Sequence, residues 1–346
     1  MHIAVDAAGG DFAPGNIVAG ALVAARHLGF GLTLVGSKDT LETELTRHAD
    51  AGRVDVRVVE APETVAMDEA PVAALRRKPG ASVRRAAETV ARGDAAALFS
   101  AGNTGATLLA ARAAFGMLPG VDRPALAATV PTRRRSAVLL DVGANVECRA
   151  HHLAQFAAMG RVYARLSLDV PEPKVGLLSI GEEATKGNEL TRDAHQLLRH
   201  SQLDFIGNVE ARDVYSGAAD VIVCDGFTGN IALKVSEGLV EVVEELLREE
   251  LNRTFTSSLG LLLSRRAFRR FRRRVDYSEY GGAPLLGVGG VCVVGHGRSS
   301  PKAVRNAVAM AYRFAKEGFV DRVRQEIALL PTAGGSEDSR EARGDA

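Results

Sequence analysis

The sequence predicts an α/β fold, a three-layer α/β/α sandwich on a largely parallel sheet. Three observations predict it. Short β-branched runs alternate with helical stretches along the chain, the order that βαβ units produce. Several runs, such as Ala137–Val142 and Val221–Cys224, are almost continuously apolar, which suits strands buried on both faces. The 36 glycines cluster just after the strands, where a parallel sheet carries its binding loops.

The predicted strands are Ile3–Ala7, Leu32–Gly36, Val54–Ala61, Ala96–Ser100, Leu126–Pro131, Ala137–Val142, Val175–Ile180, Asp204–Val209, Val221–Cys224 and Val291–Val294. Helical periodicity fills the intervals, as in Asn16–Leu28, Ala150–Leu166, Glu189–Arg199 and Asn230–Leu251. One α/β/α domain over residues 1–333, undivided or as two subdomains around a cleft, accounts for these elements. Residues 334–346 are small and charged, the composition of a disordered tail.

Composition narrows the class. Of 346 residues, 46% are hydrophobic and 25% charged, which allows a sizeable core. The net charge of +1 points to no partner. Cys148, Cys224 and Cys292 show no C-x-x-C spacing, so neither a disulfide framework nor a structural zinc site is expected, and a reducing compartment fits. No charged leader precedes the first strand, and no run of about 18 apolar residues occurs. The expected location is the cytoplasm or a cytoplasmic surface.

Five loops carry unusual chemistry. The first holds Asp6, Gly9, Gly10 and Asp11. The second runs Ser100-Ala101-Gly102-Asn103-Thr104-Gly105. The third holds Asp141, Gly143 and Asn145. The fourth holds Asp225, Gly226, Gly229 and Asn230. The fifth, Gly181–Asn188, includes Lys186, Gly187 and Asn188. Glycine lets backbone N–H groups approach an anion, and a helix N-terminus adds unsatisfied donors and partial positive charge. Five such loops on one edge of a sheet would form a polar cleft for phosphate or a polarised carbonyl. Taken singly, each also reads as a tight turn or helix cap. None is a G-x-G-x-x-G nicotinamide fingerprint or a Walker-type phosphate loop, and no G-x-S-x-G elbow or H-E-x-x-H zinc motif occurs.

At these loops the chain resembles a known family. The stretches IAVDAAGGDFAPG, SAGNTGA, LLDVGANVEC, IGEEATKGNEL, FIGNVEARD, VCDGFTGN and EYGGAPLLG, spread from residue 3 to about residue 300, are similar to those of the acyl-carrier-protein:phosphate acyltransferases (PlsX) of bacterial phospholipid synthesis. Ala8, Ala150 and Ala211 depart from the family pattern, each to a small side chain. The resemblance implies a fold akin to phosphotransacetylases and isopropylmalate dehydrogenases, and a homodimer. It implies transfer of a long-chain acyl group from an acyl-carrier-protein thioester to inorganic phosphate. The acyl phosphate would feed a downstream glycerol-3-phosphate acyltransferase. No cofactor is expected, and a metal held by Asp6, Asp11, Asp141 and Asp225 is the weaker reading, because no ligand cluster with fixed spacing occurs.

Phosphate is already a nucleophile, so direct attack on the thioester needs only an anion cradle, oxyanion stabilisation and help for the leaving thiolate. The chain has 36 Arg and 7 Lys, so a Lys inside a Gly/Asn loop stands out. Lys186 sits in the fifth loop and Lys234 one turn after Asn230; each could reach an oxyanion or phosphate, or be an ordinary surface Lys. His296, between Gly295 and Gly297, is placed either to move a proton or to cap a turn. Lys186, Asn230 and His296 are the candidate catalytic set; the remaining loop residues named above, with Lys234, are candidate substrate ligands. His151 and His152 read as capping or surface residues, because adjacent helical residues point apart.

Residues 265–275 read RRAFRRFRRRV, within a basic segment of about 252–275. Ala267, Phe268, Phe271 and Val275 share one arc of a helical wheel, and seven Arg take the rest. With the preceding Leu262 and Leu263, this suits an anionic membrane surface contacted through Phe268, Arg269, Arg270, Phe271, Arg272 and Arg273. Docking of an acidic carrier protein is a second reading. Nucleic acid is not expected, because the basic run is short and isolated.

Overall fold

A computed structural model describes residues 1–253 and 281–330, together with Ser264, Arg266, Arg270 and Phe271. The strands are β1 His2–Asp6, β2 Gly31–Gly36, β3 Val56–Glu60, β4 Ala97–Ser100, β5 Ala125–Pro131, β6 Ser136–Leu140, β7 Lys174–Leu178, β8 Asp204–Val209, β9 Val221–Val223, β10 Ala283–Leu286 and β11 Val291–Val294. The helices are α1 Gly15–Leu28, α2 Lys38–Thr46, α3 Pro71–Arg77, α4 Ser82–Ala91, α5 Thr104–Phe115, α6 Ala150–Ser167, α7 Glu189–Arg199, α8 Gly226–Asn252, α9 Pro301–Lys316 and α10 Phe319–Ile327.

All strands join one sheet in the order β3-β2-β1-β4-β11-β10-β5-β6-β9-β7-β8. Alternating side chains feed two cores, as strand geometry requires. Ile3 and Val5 meet Val18 of α1 and Val304 of α9 on one face. Ala4 and Leu98 meet Ala86 of α4 and Ala110 of α5 on the other. These are the three expected layers.

The sheet is two parallel sets that point in opposite directions. β3, β2, β1, β4 and β11 run together. β10 is antiparallel to both β11 and β5, so β5 points with the first set. β6 is antiparallel to β5, and β9, β7 and β8 follow β6. The reversal comes from the short β5–β6 connection, which is too short for a parallel crossover of a dozen or more residues. The expectation of five loops on one edge is therefore corrected. The first two loops and His296 lie at one edge; the third, fourth and fifth lie at the opposite edge.

The two sets are joined narrowly. β10 and β5 pair at Leu285↔Leu126 and Leu286↔Ala125, and β5 then continues without β10. A cleft opens in this fork, over the middle of the sheet. α8 forms its far wall. The helix starts at Gly226, earlier than its periodicity suggests, because Asp225 caps it: the carboxylate accepts from Thr228 N–H at 2.8 Å. Phe227, Ile231, Val235, Leu239, Val242 and Leu246, three or four residues apart, form an exposed apolar stripe on α8. Among the described residues no helix is long and apolar enough to cross a membrane.

Candidate active site

Most of the polar loop residues serve the loops themselves. Asp141 is fully buried. Its Oδ1 accepts from the N–H groups of Leu126, Gly143 and Ala144, and its Oδ2 from the backbone and side-chain N–H groups of Asn145. Burial pushes the Asp141 carboxyl up, and these donors pull against that rise. Asn145 also donates to the Pro124 carbonyl at 2.6 Å, and its own carbonyl receives Gly226 N–H. The third and fourth loops are thus locked together. Gly229 makes this possible: a Cβ there would stand 1.9 Å from the Asp141 carbonyl oxygen.

A second lock joins the first two loops. Ser100 donates to Asp6 Oδ2 at 2.7 Å, and both are buried. Burial raises the Asp6 pKa. A Cβ at Gly9 would lie 2.5 Å from that same carboxylate oxygen and 2.9 Å from Gly102 N. Asn103 caps α5 by accepting from Ala106 N–H, while its amide donates to the carbonyls of Ala66, Met67 and Glu69. It thereby pins a strap that carries Met67 to the cleft. Asn188 caps α7 at Thr191 N–H. Gly105 packs on Pro71, and Gly10 and Gly187 turn their loops at positive φ.

The cleft itself is a cavity of about 1000 Å³. Of the candidates, Asp11, Thr104, Gly143, Asn230, Lys234 and His296 line it. Its floor is apolar: Leu126 and Ala128 of β5, Val142, Ala283 and Val294, with Leu233 and Val240 of α8 opposite. One end holds Gly143 and Asn230. The other holds His296, Arg298, Ser299, Ser300 and Lys302, where α9 begins. Lys234 is paired with Glu237 at 2.8 Å, and Glu237, Glu241 and Glu244 edge the cavity along α8. His296 is exposed; its Nδ1 accepts from Arg298 N–H at 3.2 Å, while its carbonyl holds Ser299. These contacts cap the turn, as the second of the two readings of His296 expected.

Sequence reasoning missed Arg298, Lys302 and Met67. The signal for the first two was present. Ser300-Pro301 is a cap followed by proline at the first helical position, so a cationic pair at a helix N-terminus was readable.

Lys186 does not line the cavity. It is exposed, in the fifth loop at the edge shared with Gly143 and Asn230, with β9 between β6 and β7. Of the membrane-facing set, Arg270 and Phe271 are described and exposed; Leu262, Leu263, Phe268, Arg269, Arg272 and Arg273 lie outside the described residues. Cys148 is half-buried, its thiol pushed up to about 11 mainly by burial, so it is a poor nucleophile. Asp122, His151 and His152 lie close enough to suggest a metal. Yet His152 Nδ1 already accepts Arg149 N–H, His151 pairs with Asp122 at 3.0 Å, and the cationic Arg123 and Arg149 surround them. The cluster reads as a helix cap and a His–carboxylate contact.

Residues 1–322 match the family model of the fatty acid synthesis proteins. The phosphate acyltransferase of Acidobacterium capsulatum is 50% identical over 326 residues, covering 94% of this chain and 97% of that one. That of Geobacter sulfurreducens is 48% identical, covering 96% of each. Among solved structures, a phosphotransacetylase from Streptococcus pyogenes superposes with a TM-score of 0.62 at 17% identity, covering 92% of this chain and 94% of that one. The EutD phosphotransacetylase from Staphylococcus aureus gives 0.56 at 17% identity, over 91% and 94%. These two share the fold. With its sheet, its cleft and its near full-length match to these relatives, the chain belongs to the phosphate acyltransferase family and is an acyltransferase.

Proposed function

We propose that the enzyme moves a long-chain acyl group from an acyl-carrier-protein thioester to inorganic phosphate, and releases an acyl phosphate for a downstream glycerol-3-phosphate acyltransferase. The observation that carries this reading is the cleft: an apolar floor between two polar ends, one of them cationic. A thioester substrate has that profile, with an apolar chain, a polarised carbonyl and anionic surroundings. Phosphate attacks the carbonyl carbon; the C–S bond breaks, and the thiolate leaves and takes a proton. Asn230, at Gly143, is placed to donate to the developing oxyanion. The cations Arg298 and Lys302, with the N-terminus of α9, favour an anion at the other end.

The two ends lie at opposite edges of the sheet, beyond β6 and beyond β11. Reacting atoms must come within about 3–3.5 Å. One end therefore serves the chemistry while the other holds a remote part of the substrate, or the fork closes during turnover. Lys186, outside the cavity on the same sheet edge as Asn230, would add its charge only if its loop moves toward the substrate. The exposed stripe of α8 supports a homodimer, because a second copy of the stripe would cover it. A peripheral, cytoplasmic membrane association rests on the Arg-rich segment.

The deciding measurement is phosphate-dependent loss of thioester from purified palmitoyl-carrier protein, with hydroxylamine trapping of the product. Trapped acyl phosphate is the expected result. Thioester loss only with coenzyme A substrates would favour a short-chain phosphotransacetylase activity instead. Binding of acyl-carrier protein without turnover would mark a scaffold.

A further inference from the structure

The FIGNVEARD segment stands out in the sequence, yet none of it lines the cleft. Its place in the structure gives it a task. Between Val175/Phe205 and Gly176/Gly207 the β7–β8 register skips Ile206, which bulges outward. Gly207 takes φ +100, a conformation open to glycine. A bulge of this kind re-aims the next side chain. Here it turns Asn208 inward, where it is 6% exposed.

Asn208 then spans three elements. Its Nδ2 donates to the Glu183 carbonyl at 2.9 Å, inside the Lys186 loop. The same carbonyl receives Lys186 N–H at 3.0 Å. With Nδ2 committed, Oδ1 faces His195 of α7 and accepts from its Nδ1–H at 2.9 Å. His195 is 7% exposed, and its ring meets the edge of Phe205. Backbone bonding from Ser179 N–H to Val209 O closes the base of the loop. Arg212, from the same segment, reaches Glu182 at 3.8 Å, but both side chains are exposed. That outer contact adds little. The inner chain runs His195, Asn208, Glu183 carbonyl, Lys186 N–H, and every link is a hydrogen bond of normal length.

We propose that Asn208 and His195 are positioning residues that hold the Gly181–Asn188 loop, and with it Lys186, at the sheet edge it shares with Gly143 and Asn230. The inference rests on the proposed role of Lys186. Asn208 acts through the loop and touches no substrate. The inward turn of Asn208 is what the bulge achieves: an unbulged strand would place the amide on the other face of β8.

The test is a double-mutant cycle on the full-length enzyme, with hydrogen exchange alongside. Asn208→Ala is expected to lower kcat by roughly 10–100-fold, the scale of a displacement of about 1 Å at a reacting group. KM for palmitoyl-carrier protein should stay within about twofold. In a Lys186→Ala background the same change should cost less than about twofold, because the group it positions is already gone. Arg212→Gln serves as the control and should leave turnover unaltered. Equal losses from Asn208→Ala in both backgrounds would overturn the proposal, as would a wild-type rate for Asn208→Ala. Normal activity in Lys186→Ala would remove the role of Lys186 and the positioning role with it. Hydrogen exchange of the 181–188 amides separates these failures. It should accelerate in Asn208→Ala, and not in Arg212→Gln, whatever reaction the enzyme performs. His195→Asn, which still offers a donor, should recover part of the protection that His195→Ala loses.

Discussion

At the scale of single residues, the loops are governed by close approach. Gly229 and Gly9 sit where backbone or carboxylate leaves no room for a methyl group. Gly229→Ala should cost about 1–3 kcal/mol or more, the usual range for overpacking, and lower activity, since the same contact positions Asn230. Thermal unfolding with a turnover assay checks both; an unchanged Tm would mean that α8 can shift away from Asp141 freely. That these loops matter was legible from the sequence, because glycine beside Asp and Asn directly after a strand marks backbone that must pass close to a neighbour and be held there by side-chain hydrogen bonds. Which of them face substrate was not. Asp141, Asn145 and Asn103 carry the residue types of ligands, but their hydrogen-bonding capacity is consumed by N–H groups and carbonyls far apart in sequence, such as Leu126 and Met67. Only the three-dimensional donor count separates a loop's scaffold from its working groups.

At the scale of elements, each strand read from the sequence occurs, within a residue or two at the ends. β10 was missed for a physical reason. It is four residues long, follows two glycines and contains Pro284, and proline demotes a strand. It is nevertheless the piece on which the fork turns. The histidines at the start of α6 lead to a pH prediction. Burial, first, and then the charge of His151 push His152 down to about 4, while Asp122 pulls the other way and Arg123 and Arg149 add to the fall. Its ordinary value is about 6.5. The unfolded chain therefore takes up the proton before the folded one does. This contribution to stability is complete above about pH 6.5 and declines as pH falls toward 4. The Tm of wild type should fall more over that window than the Tm of His152→Asn, whose amide oxygen can still accept Arg149 N–H. Parallel Tm–pH curves would assign the loss to other groups. For α8, replacing Val235 and Leu239 by Glu places two charges in the exposed stripe. Light scattering is expected to report a dimer for the wild type and a monomer for this variant; a variant that stays dimeric would move the interface elsewhere.

At the scale of the whole molecule, the opposed halves explain why no single sheet edge holds the site. The short β5–β6 connection carried that information in the sequence, since its four residues cannot make a parallel crossover. The weight given to glycine clusters hid it. The cleft sits between halves whose sheet strands β10 and β5 pair at two residue pairs, and α8 presents one face to the cleft and the other to solvent. From the end of α8 the chain enters the Arg-rich segment, so that the cavity wall and the proposed membrane contact are neighbours in sequence. An acyl phosphate combines a long apolar chain with a charged head, and its release beside a bilayer would spare it passage through water. Each Lys or Arg near an anionic surface contributes about 1 kcal/mol. Changing Arg269, Arg270, Arg272 and Arg273 to Gln should thus weaken partitioning onto anionic vesicles by roughly a thousandfold at low salt. Turnover of palmitoyl-carrier protein in free solution should persist, because the proposed chemistry gives none of the four a role. Sedimentation with vesicles of graded anionic content measures the first, and the hydroxylamine assay the second. Unchanged vesicle binding would sink the membrane reading, whereas lost turnover with intact folding would assign the arginines to the acidic carrier protein.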